Sequence, residues 1–411
     1  MQKVKKTGKY DFSLIALYAF LIPFDQKVST VMLMLLILEK LYNWKRIKFE
    51  TSFKLLLPAF IYIFLIISLM YSLNYDSKYY IRKLQLIVFP ILFSFNNKNL
   101  TQKSTEVILR SFAIGCVLSV LFCEVYSFYR ACTFYPGGFY AIVQPGHDLF
   151  RSISEGGNLF FGQYFSVFHQ TMYYAVFLLF SLVILIHKPF VNKKVQCVSV
   201  VMILLGLFQV SNRASFLVMG VLLVFFILKK WSVISKSKKV MTGFVLVVFV
   251  VSISMNPRFN TVVVSFFKTG VKINPKATST YEVRMLTWDA SIEIIYDNFL
   301  LGVGIADQGS ELMREYEELG YVVPFESKLN SHNQYLTITI QIGFIGLLLI
   351  IMSHYYLFKE ERLMFSGIRK SLVIIFLVSF LFESMLERYS GLLFFSFFYS
   401  LLVSKQSIKV N

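Results

Sequence analysis

Long apolar runs with no charged residue recur along this chain, and they limit its fold more than any other feature. The run from Ser331 to Ile350, SHNQYLTITIQIGFIGLLLI, is an example. A helix of about 20 apolar residues spans the hydrocarbon core of a bilayer. Twelve such helices are predicted, centred near Leu17, Leu35, Phe64, Val88, Val117, Leu178, Leu204, Val221, Leu246, Ile345, Ile375 and Phe395. The pattern therefore predicts an all-α integral membrane protein with about twelve transmembrane helices.

Composition supports the membrane class and excludes several others. Hydrophobic residues make up 56% of the chain and charged residues only 16%, too few to cover the surface of a soluble domain of 411 residues. The net charge of +18 does not indicate nucleic-acid binding, because the basic residues lie between apolar runs, where they meet membrane lipids. The four cysteines show no disulfide or metal-ligand pattern, so neither a disulfide framework nor a metal site follows from them. No cofactor is expected.

The distribution of lysine and arginine predicts the topology. Basic clusters near residues 45–54, 229–239 and 359–370 fall on one side of the predicted membrane, together with both termini. The short connections on the other side hold few basic residues, namely Lys27, Lys78, Arg82, Lys83, Arg213 and Arg388. Because cytoplasmic loops carry the excess of positive charge, both termini are expected in the cytoplasm. The basic and apolar N-terminus is interpreted as a retained first helix.

Two long connections, about residues 128–166 and 256–331, are predicted on the extracytoplasmic side. In the second, Ser279 and Glu282 form a capping box that predicts the start of an amphipathic helix ending at Asp297-Asn298. The apolar stripe of this helix is expected to face the membrane surface or the bundle. Its members are Tyr281, Met285, Trp288, Ile292 and Ile295. The following Gly302-Val303-Gly304 indicates a turn and lacks the third glycine of a dinucleotide motif.

Several ionisable residues lie within or at the edge of the predicted membrane spans, where charge is costly and therefore indicates a functional or structural role. Arg213 separates two apolar runs almost without a loop, Arg284 flanks the apolar stripe, and His332 and His169 each directly precede an apolar run. Each also has a structural alternative: a snorkelling anchor for Arg213, a solvated arginine for Arg284, and a cap or interface residue for the histidines. All four are predicted on the extracytoplasmic side.

These residue types suit transfer from a diphosphate. Two guanidiniums can hold a diphosphate through paired hydrogen bonds, and an imidazole can accept a proton from an attacking hydroxyl. Glu282 is a further candidate base, and Asn333 and Ser331 are candidate caps of the helix after His332. Glu383 and Glu387 are expected to form structural ion pairs with Arg388 or another arginine of the bundle.

Three motifs in this order resemble the O-antigen ligase family, which includes the O-antigen polymerases. They are SNRAS around Arg213, RMLTWDASIEIIYDNFLLGVG from Arg284 to Gly304, and HNQYL…GFIGL from His332 to Leu347. The resemblance covers about Gln196 to Phe358 and divides the chain into N-terminal helices 1–195, a ligase-like core 196–358 and C-terminal helices 359–411. The N-terminal third is similar only in hydropathy. Where family members often place Asn or His-Pro, this chain has His169-Gln170.

The resemblance implies a GT-C-like, metal-independent, inverting glycosyltransferase. Its donor would be an undecaprenyl-diphosphate-linked glycan and its acceptor a sugar of the lipid A core or another glycan. By the same resemblance, Arg213 and Arg284 would bind the diphosphate, and His332 would activate the acceptor hydroxyl. Ligase and polymerase are not separated, although the well-kept carboxy-terminal motif favours the ligase. A transporter or flippase for lipid-linked sugars is the alternative of another class, and it would show internal two-fold repeats that this sequence lacks.

Overall fold

A computed structural model describes residues 8–43, 49–74, 77–95, 100–133, 140–230, 273–359 and 365–404, and this part of the chain is helical. The helices are α1 (Gly8–Leu21), α2 (Gln26–Asn43), α3 (Phe53–Ser68), α4 (Ser77–Arg82), α5 (Gln85–Ser94), α6 (Gln102–Thr133), α7 (Leu149–Ser154), α8 (Thr171–His187), α9 (Lys193–Val210), α10 (Arg213–Lys230), α11 (Thr280–Asn298), α12 (Gln308–Glu318), α13 (Val322–Glu326), α14 (Gln334–Lys359), α15 (Ser366–Phe382) and α16 (Tyr389–Val403). Within these ranges the only β-type pairing is a bridge between Ile142 and Asn158. The predicted all-α class is confirmed.

The helices agree with the predicted runs, although fewer of them meet the length of a membrane span. Eleven of the twelve predicted centres lie within helices, and the twelfth, Leu246, lies outside the described residues. In the described part, α6, α9 and α14 are long and apolar enough to cross a membrane, and α3, α8 and α16 are shorter apolar helices. The count of twelve spans therefore stays a prediction.

The core of the bundle forms around α16, in which every residue from Ser390 to Val403 is buried. A helix that is apolar on all sides must be surrounded by other helices. Aromatic rings of α6 and α8 supply much of this packing. The ring of Phe398 lies 4.7 Å from that of Phe112 and 4.8 Å from that of Phe180, both edge-on. Edge-on ring pairs of this kind stabilise a core beyond the area they bury.

Contacts among α8, α10 and α15 define the two ends of the bundle. The ring of His187, the last residue of α8, lies 5.4 Å from the ring of Phe226 in α10. The same imidazole packs against Gly367 at the start of α15, so closely that a side chain at position 367 would clash with it. The opposite ends of these three helices therefore lie together. We call this the site end of the bundle, and it holds Arg213, the start of α8 and the end of α15.

The segment 273–331 packs over the site end and has a small core of its own. Leu286, Ala290 and Ile294 of α11 pack against Leu312 and Tyr316 of α12. The capping box is confirmed, since Ser279 is the N-cap of α11 and its hydroxyl accepts a hydrogen bond from the Glu282 backbone N–H at 3.4 Å. The predicted end at Asn298 is also confirmed.

The buried face of α11 differs from the predicted stripe. The buried residues of α11 are Val283, Leu286, Thr287, Ala290, Ser291 and Ile294. Ile292, a member of the predicted stripe, is 56% exposed. The exposure of Ile292 contradicts a stripe that lies wholly against the bundle, whereas the other expected orientation, with the stripe facing the membrane surface, stays a prediction.

The predicted loop 128–166 begins later than expected. Helix α6 continues to Thr133. In its last turn, the guanidinium of Arg130 donates a hydrogen bond to the carbonyl of Tyr164 and lies 4.7 Å from the centre of the Tyr126 ring. The predicted turn at residues 136–138 lies outside the described residues. Between α6 and α8, α7 is the only α-helix that the structure describes.

Helix α14 is broken near the site end, although its sequence predicted a continuous apolar helix. Ile342 and Gly343 have non-helical backbone angles, and Gly343 has φ 63°. The chain after α11 fills the break: the N–H of Val303 donates to the carbonyl of Ile340 at 2.7 Å, and the N–H of Phe344 donates to the carbonyl of Phe299 at 2.8 Å. The glycine-rich turn after α11 thus satisfies the polar groups that the break leaves unpaired.

We expect Gly343→Ala to destabilise the protein by about 1–3 kcal/mol, because L-residues avoid this backbone conformation. A Cβ at Gly343 would also lie 2.2 Å from the Leu300 carbonyl oxygen. Thermal unfolding in detergent measures the effect. Gly309→Ala is the matched control, since a Cβ there meets nothing within 4 Å. Equal unfolding temperatures for the two variants would contradict this account of the break.

Candidate functional site

Three ionisable side chains from distant parts of the chain lie near one another at the site end. Nδ1 of His332 lies 3.6 Å from Oε2 of Glu383, and Arg284 on α11 interacts electrostatically with the same carboxylate. The structure therefore brings together two of the predicted site residues, His332 and Arg284. Glu383, which the sequence suggested only for a structural ion pair, contacts His332 and lies within electrostatic range of Arg284.

The start of α14 holds His332 in place. The Asn333 side chain is the cap, and its Oδ1 accepts hydrogen bonds from the N–H groups of Tyr335 at 2.9 Å and Leu336 at 3.2 Å. His332 itself has φ 44°, a left-handed conformation that is uncommon for residues other than glycine. Ser331 does not cap the helix. Its hydroxyl accepts a hydrogen bond from Ser291 of α11 at 2.9 Å.

Buried hydrogen bonds fix the turn that carries Glu383 against α14. The hydroxyls of Thr337 and Ser384 lie 2.7 Å apart, and the N–H of Leu386 donates to Oε1 of Gln334 at 2.6 Å. Both contacts join the first turn of α14 to the residues after α15. Their effect is to keep the Glu383 carboxylate beside the imidazole of His332.

The His332 ring has one buried and one open nitrogen. Nδ1, which faces Glu383, is buried, whereas the side chain as a whole keeps 28% of its area exposed. Nε2 is therefore available to a group that enters from outside. An imidazole oriented by a carboxylate on one nitrogen and open on the other is the arrangement of a general base.

Arg284 is half-buried on α11. Burial lowers the pKa of its guanidinium from the usual value, and the charge of Glu383 acts in the opposite direction. One turn later, the Trp288 ring lies 6.4 Å from that of Phe382, the residue before Glu383. The Arg-x-x-x-Trp spacing thus places a cation and an aromatic anchor on the side of α11 that meets the end of α15.

Arg213 begins α10 and lies at the site end. It follows Ser211, which caps α9 in a left-handed conformation with φ 52°. The tight turn between α9 and α10 was predicted from sequence. Arg213 lies at the same end of the bundle as Arg284 and His332.

The two remaining candidates have structural partners. The carboxylate of Glu282 accepts a hydrogen bond from the Ser279 hydroxyl in the capping box. The buried His169 ring contacts Ser390 Oγ through Nδ1 at 2.9 Å and the Ile22 carbonyl through Nε2 at 3.1 Å. With both ring nitrogens occupied, His169 joins the turn after α1 to the start of α16, which favours its structural alternative.

We expect His169 to make the fold sensitive to acid. Burial lowers its pKa to about 4, an effect partly offset by the carbonyl of Ile22 and the charge of Asp25. The unfolded chain binds this proton below a pH of about 6.5. The stabilisation is therefore complete above that pH and is lost as the pH falls towards about 4. Thermal unfolding across this range should show a smaller loss for His169→Gln than for the wild type. Parallel losses would contradict the assignment.

Glu387 forms an ion pair that differs from the predicted one. Its Oε1 lies 2.5 Å from Nζ of Lys83, a buried lysine, and accepts a hydrogen bond from Gln341 Nε2 at 3.0 Å. Lys83 also donates to Oε1 of Gln341 at 3.2 Å. The expected structural ion pair is present, but the expected partner, Arg388 or another arginine, was wrong, because the buried ammonium of Lys83 has the greater need of a counter-charge.

Fold and site together define the class of this protein. It is a helical protein with membrane-type helices and a histidine, arginine and glutamate grouped at one end of the bundle under a folded connection. Within that class, residues 197–351 match the family model described as O-antigen ligase. This match confirms the resemblance suggested by the three motifs, over nearly the same range. No curated protein matches the chain. The matched family comprises membrane enzymes of the O-antigen ligase and polymerase kind.

Proposed function

We propose that this protein is a glycosyltransferase of the bacterial inner membrane. It transfers a glycan from an undecaprenyl-diphosphate carrier to an acceptor hydroxyl on the extracytoplasmic face, with both termini in the cytoplasm. The contact of His332 with Glu383, within electrostatic range of Arg284, carries the proposal. The match to the O-antigen ligase family over residues 197–351 supports the reaction class.

In this reaction, the acceptor hydroxyl oxygen forms a bond to the anomeric carbon of the donor sugar. The bond between that carbon and the diphosphate oxygen breaks, and the diphosphate leaves on its lipid carrier with the bonding electrons. The hydroxyl proton passes to Nε2 of His332. Attack opposite the leaving group inverts the anomeric centre.

Each charged residue has a distinct part in this scheme. Arg213 and Arg284 bind the diphosphate and neutralise the charge that develops as it leaves, so the scheme requires no metal ion. Glu383 is a positioning residue: it orients the imidazole through Nδ1 and stabilises the imidazolium that forms. The distance of 3.6 Å is longer than a hydrogen bond, as is common in sites without bound substrate.

The preferred acceptor is a sugar of the lipid A core, as in an O-antigen ligase. The alternative is a second repeat unit, as in a polymerase of the same family. A flippase would leave the glycan on its carrier. Purified protein in nanodiscs, supplied with lipid-linked glycan and either acceptor, tests all three. We expect transfer to lipid A core. Transfer only to repeat units would establish the polymerase, and no transfer to either acceptor would contradict the proposal.

A further inference from the structure

A cavity of about 800 Å³ lies next to the candidate site. Its walls come from the end of α4, the first turns of α12, the chain before α14 and the turn before α16. The volume is within the range of ligand-binding sites, about 300–1,000 Å³. Asn74, Ser310 and Asn330 contribute amide and hydroxyl groups to the lining. Such groups suit a ligand rich in hydroxyls.

The charge of this cavity is strongly positive. Arg82, Lys83, Lys328 and Arg388 line it. Glu387 compensates one of these charges through its ion pair with Lys83. In the part of the chain that the structure describes, the other three basic side chains form no ion pair, and all three are exposed. They are therefore available to an anionic ligand.

A second cavity, of about 280 Å³, adjoins the first. The two cavities share Arg82, Glu387 and Arg388. The second is also lined by Tyr173, whose hydroxyl is buried without a hydrogen-bond partner in the described structure. Tyr173 lies within electrostatic range of both Arg388 and Glu383. The two cavities thus form one groove that extends from α12 to the neighbourhood of Glu383.

We propose that this groove binds a glycan that carries phosphate or carboxylate groups, with Arg82 and Arg388 as the binding residues. The assignment rests on the proposed function and narrows its substrate class to acidic sugar chains. Guanidinium groups pair with phosphate and carboxylate through two parallel hydrogen bonds, and the amide and hydroxyl groups of the lining suit sugar hydroxyls. A glycan in the groove would extend towards His332 and Glu383.

Direct binding to the full chain in phosphatidylcholine nanodiscs tests this proposal. The probes are a phosphorylated core oligosaccharide, an oligogalacturonate, a neutral malto-oligosaccharide and undecaprenyl diphosphate without a glycan. We expect at least one acidic oligosaccharide to bind about tenfold or more tightly than the neutral one. Arg82→Ala and Arg388→Ala should each weaken that binding about ten- to a hundredfold and leave undecaprenyl diphosphate binding unchanged.

Arg314→Ala is the matched control, because Arg314 is an exposed arginine of α12 that does not line the groove. Its binding should equal that of the wild type, and unchanged thermal unfolding of all three variants excludes a folding defect. Equal binding of neutral and acidic oligosaccharides would overturn the proposal. So would a loss of undecaprenyl diphosphate binding with oligosaccharide binding intact, which would assign the groove to the donor.

The same preparation separates this inference from the proposed function. Protein that binds acidic oligosaccharides through Arg82 and Arg388 but transfers no glycan would refute the glycosyltransferase and leave the groove assignment standing. Protein that transfers glycan but shows no preference for acidic oligosaccharides would refute the groove assignment alone.

Discussion

His332→Ala should bind the lipid-linked donor as tightly as the wild type and transfer its glycan about 10² to 10⁴ times more slowly. The reason is that the imidazole acts on the acceptor hydroxyl, whereas the diphosphate is bound by arginines. The fold should survive, since the Asn333 side chain caps α14 without help from His332. Donor affinity and transfer rate, measured side by side in nanodiscs, give the two quantities.

A second histidine provides the control. Nε2 of His147 lies 3.7 Å from a Glu155 carboxylate oxygen, a geometry close to that of His332 and Glu383, but outside the segment that matches the ligase family. His147→Ala should transfer at the wild-type rate. If His332→Ala also transfers at that rate, His332 has no catalytic part. If it loses donor affinity as well, it belongs to the diphosphate site and another base must be found.

Arg284→Lys should fail nearly as completely as Arg284→Ala, with donor affinity about ten- to a hundredfold below that of the wild type. A lysine keeps the charge but loses the planar fork that pairs with two diphosphate oxygens. Burial strengthens this requirement, because the half-buried guanidinium already has a lowered pKa and an ammonium is more costly to desolvate. The same result is expected for Arg213→Lys. Binding of undecaprenyl diphosphate measures both.

The arginine and histidine variants therefore have opposite signatures. Loss of an arginine reduces donor binding, whereas loss of His332 reduces the rate and spares binding. Full donor affinity in Arg284→Lys, at normal protein levels, would show that only the positive charge near Glu383 matters and that the guanidinium does not pair with the diphosphate. Arg314→Lys, on the exposed side of α12, is the control for changes in surface charge.

Local signals in the sequence predicted the helices and two of their caps correctly. The apolar runs predicted helices because a backbone in lipid must satisfy its own hydrogen bonds, and this requirement depends on neighbouring residues alone. The capping box at Ser279 and the cap at Asn333 were predictable for the same reason, since a cap contacts residues two or three positions away. The order of the three motifs was also sufficient to suggest the family.

Only the tertiary structure decided which side chains meet. Glu383 directly follows an apolar helix, a position that is ordinary for a charged residue and does not by itself indicate a site. Its contact with His332 exists because buried hydrogen bonds hold the turn after α15 against α14. The break at Gly343 is stable because the turn after α11 supplies its missing hydrogen bonds. Periodicity and capping act over a few residues of one chain segment. Ion pairs such as that of Lys83 with Glu387 depend on how distant helices pack, which those local patterns do not contain.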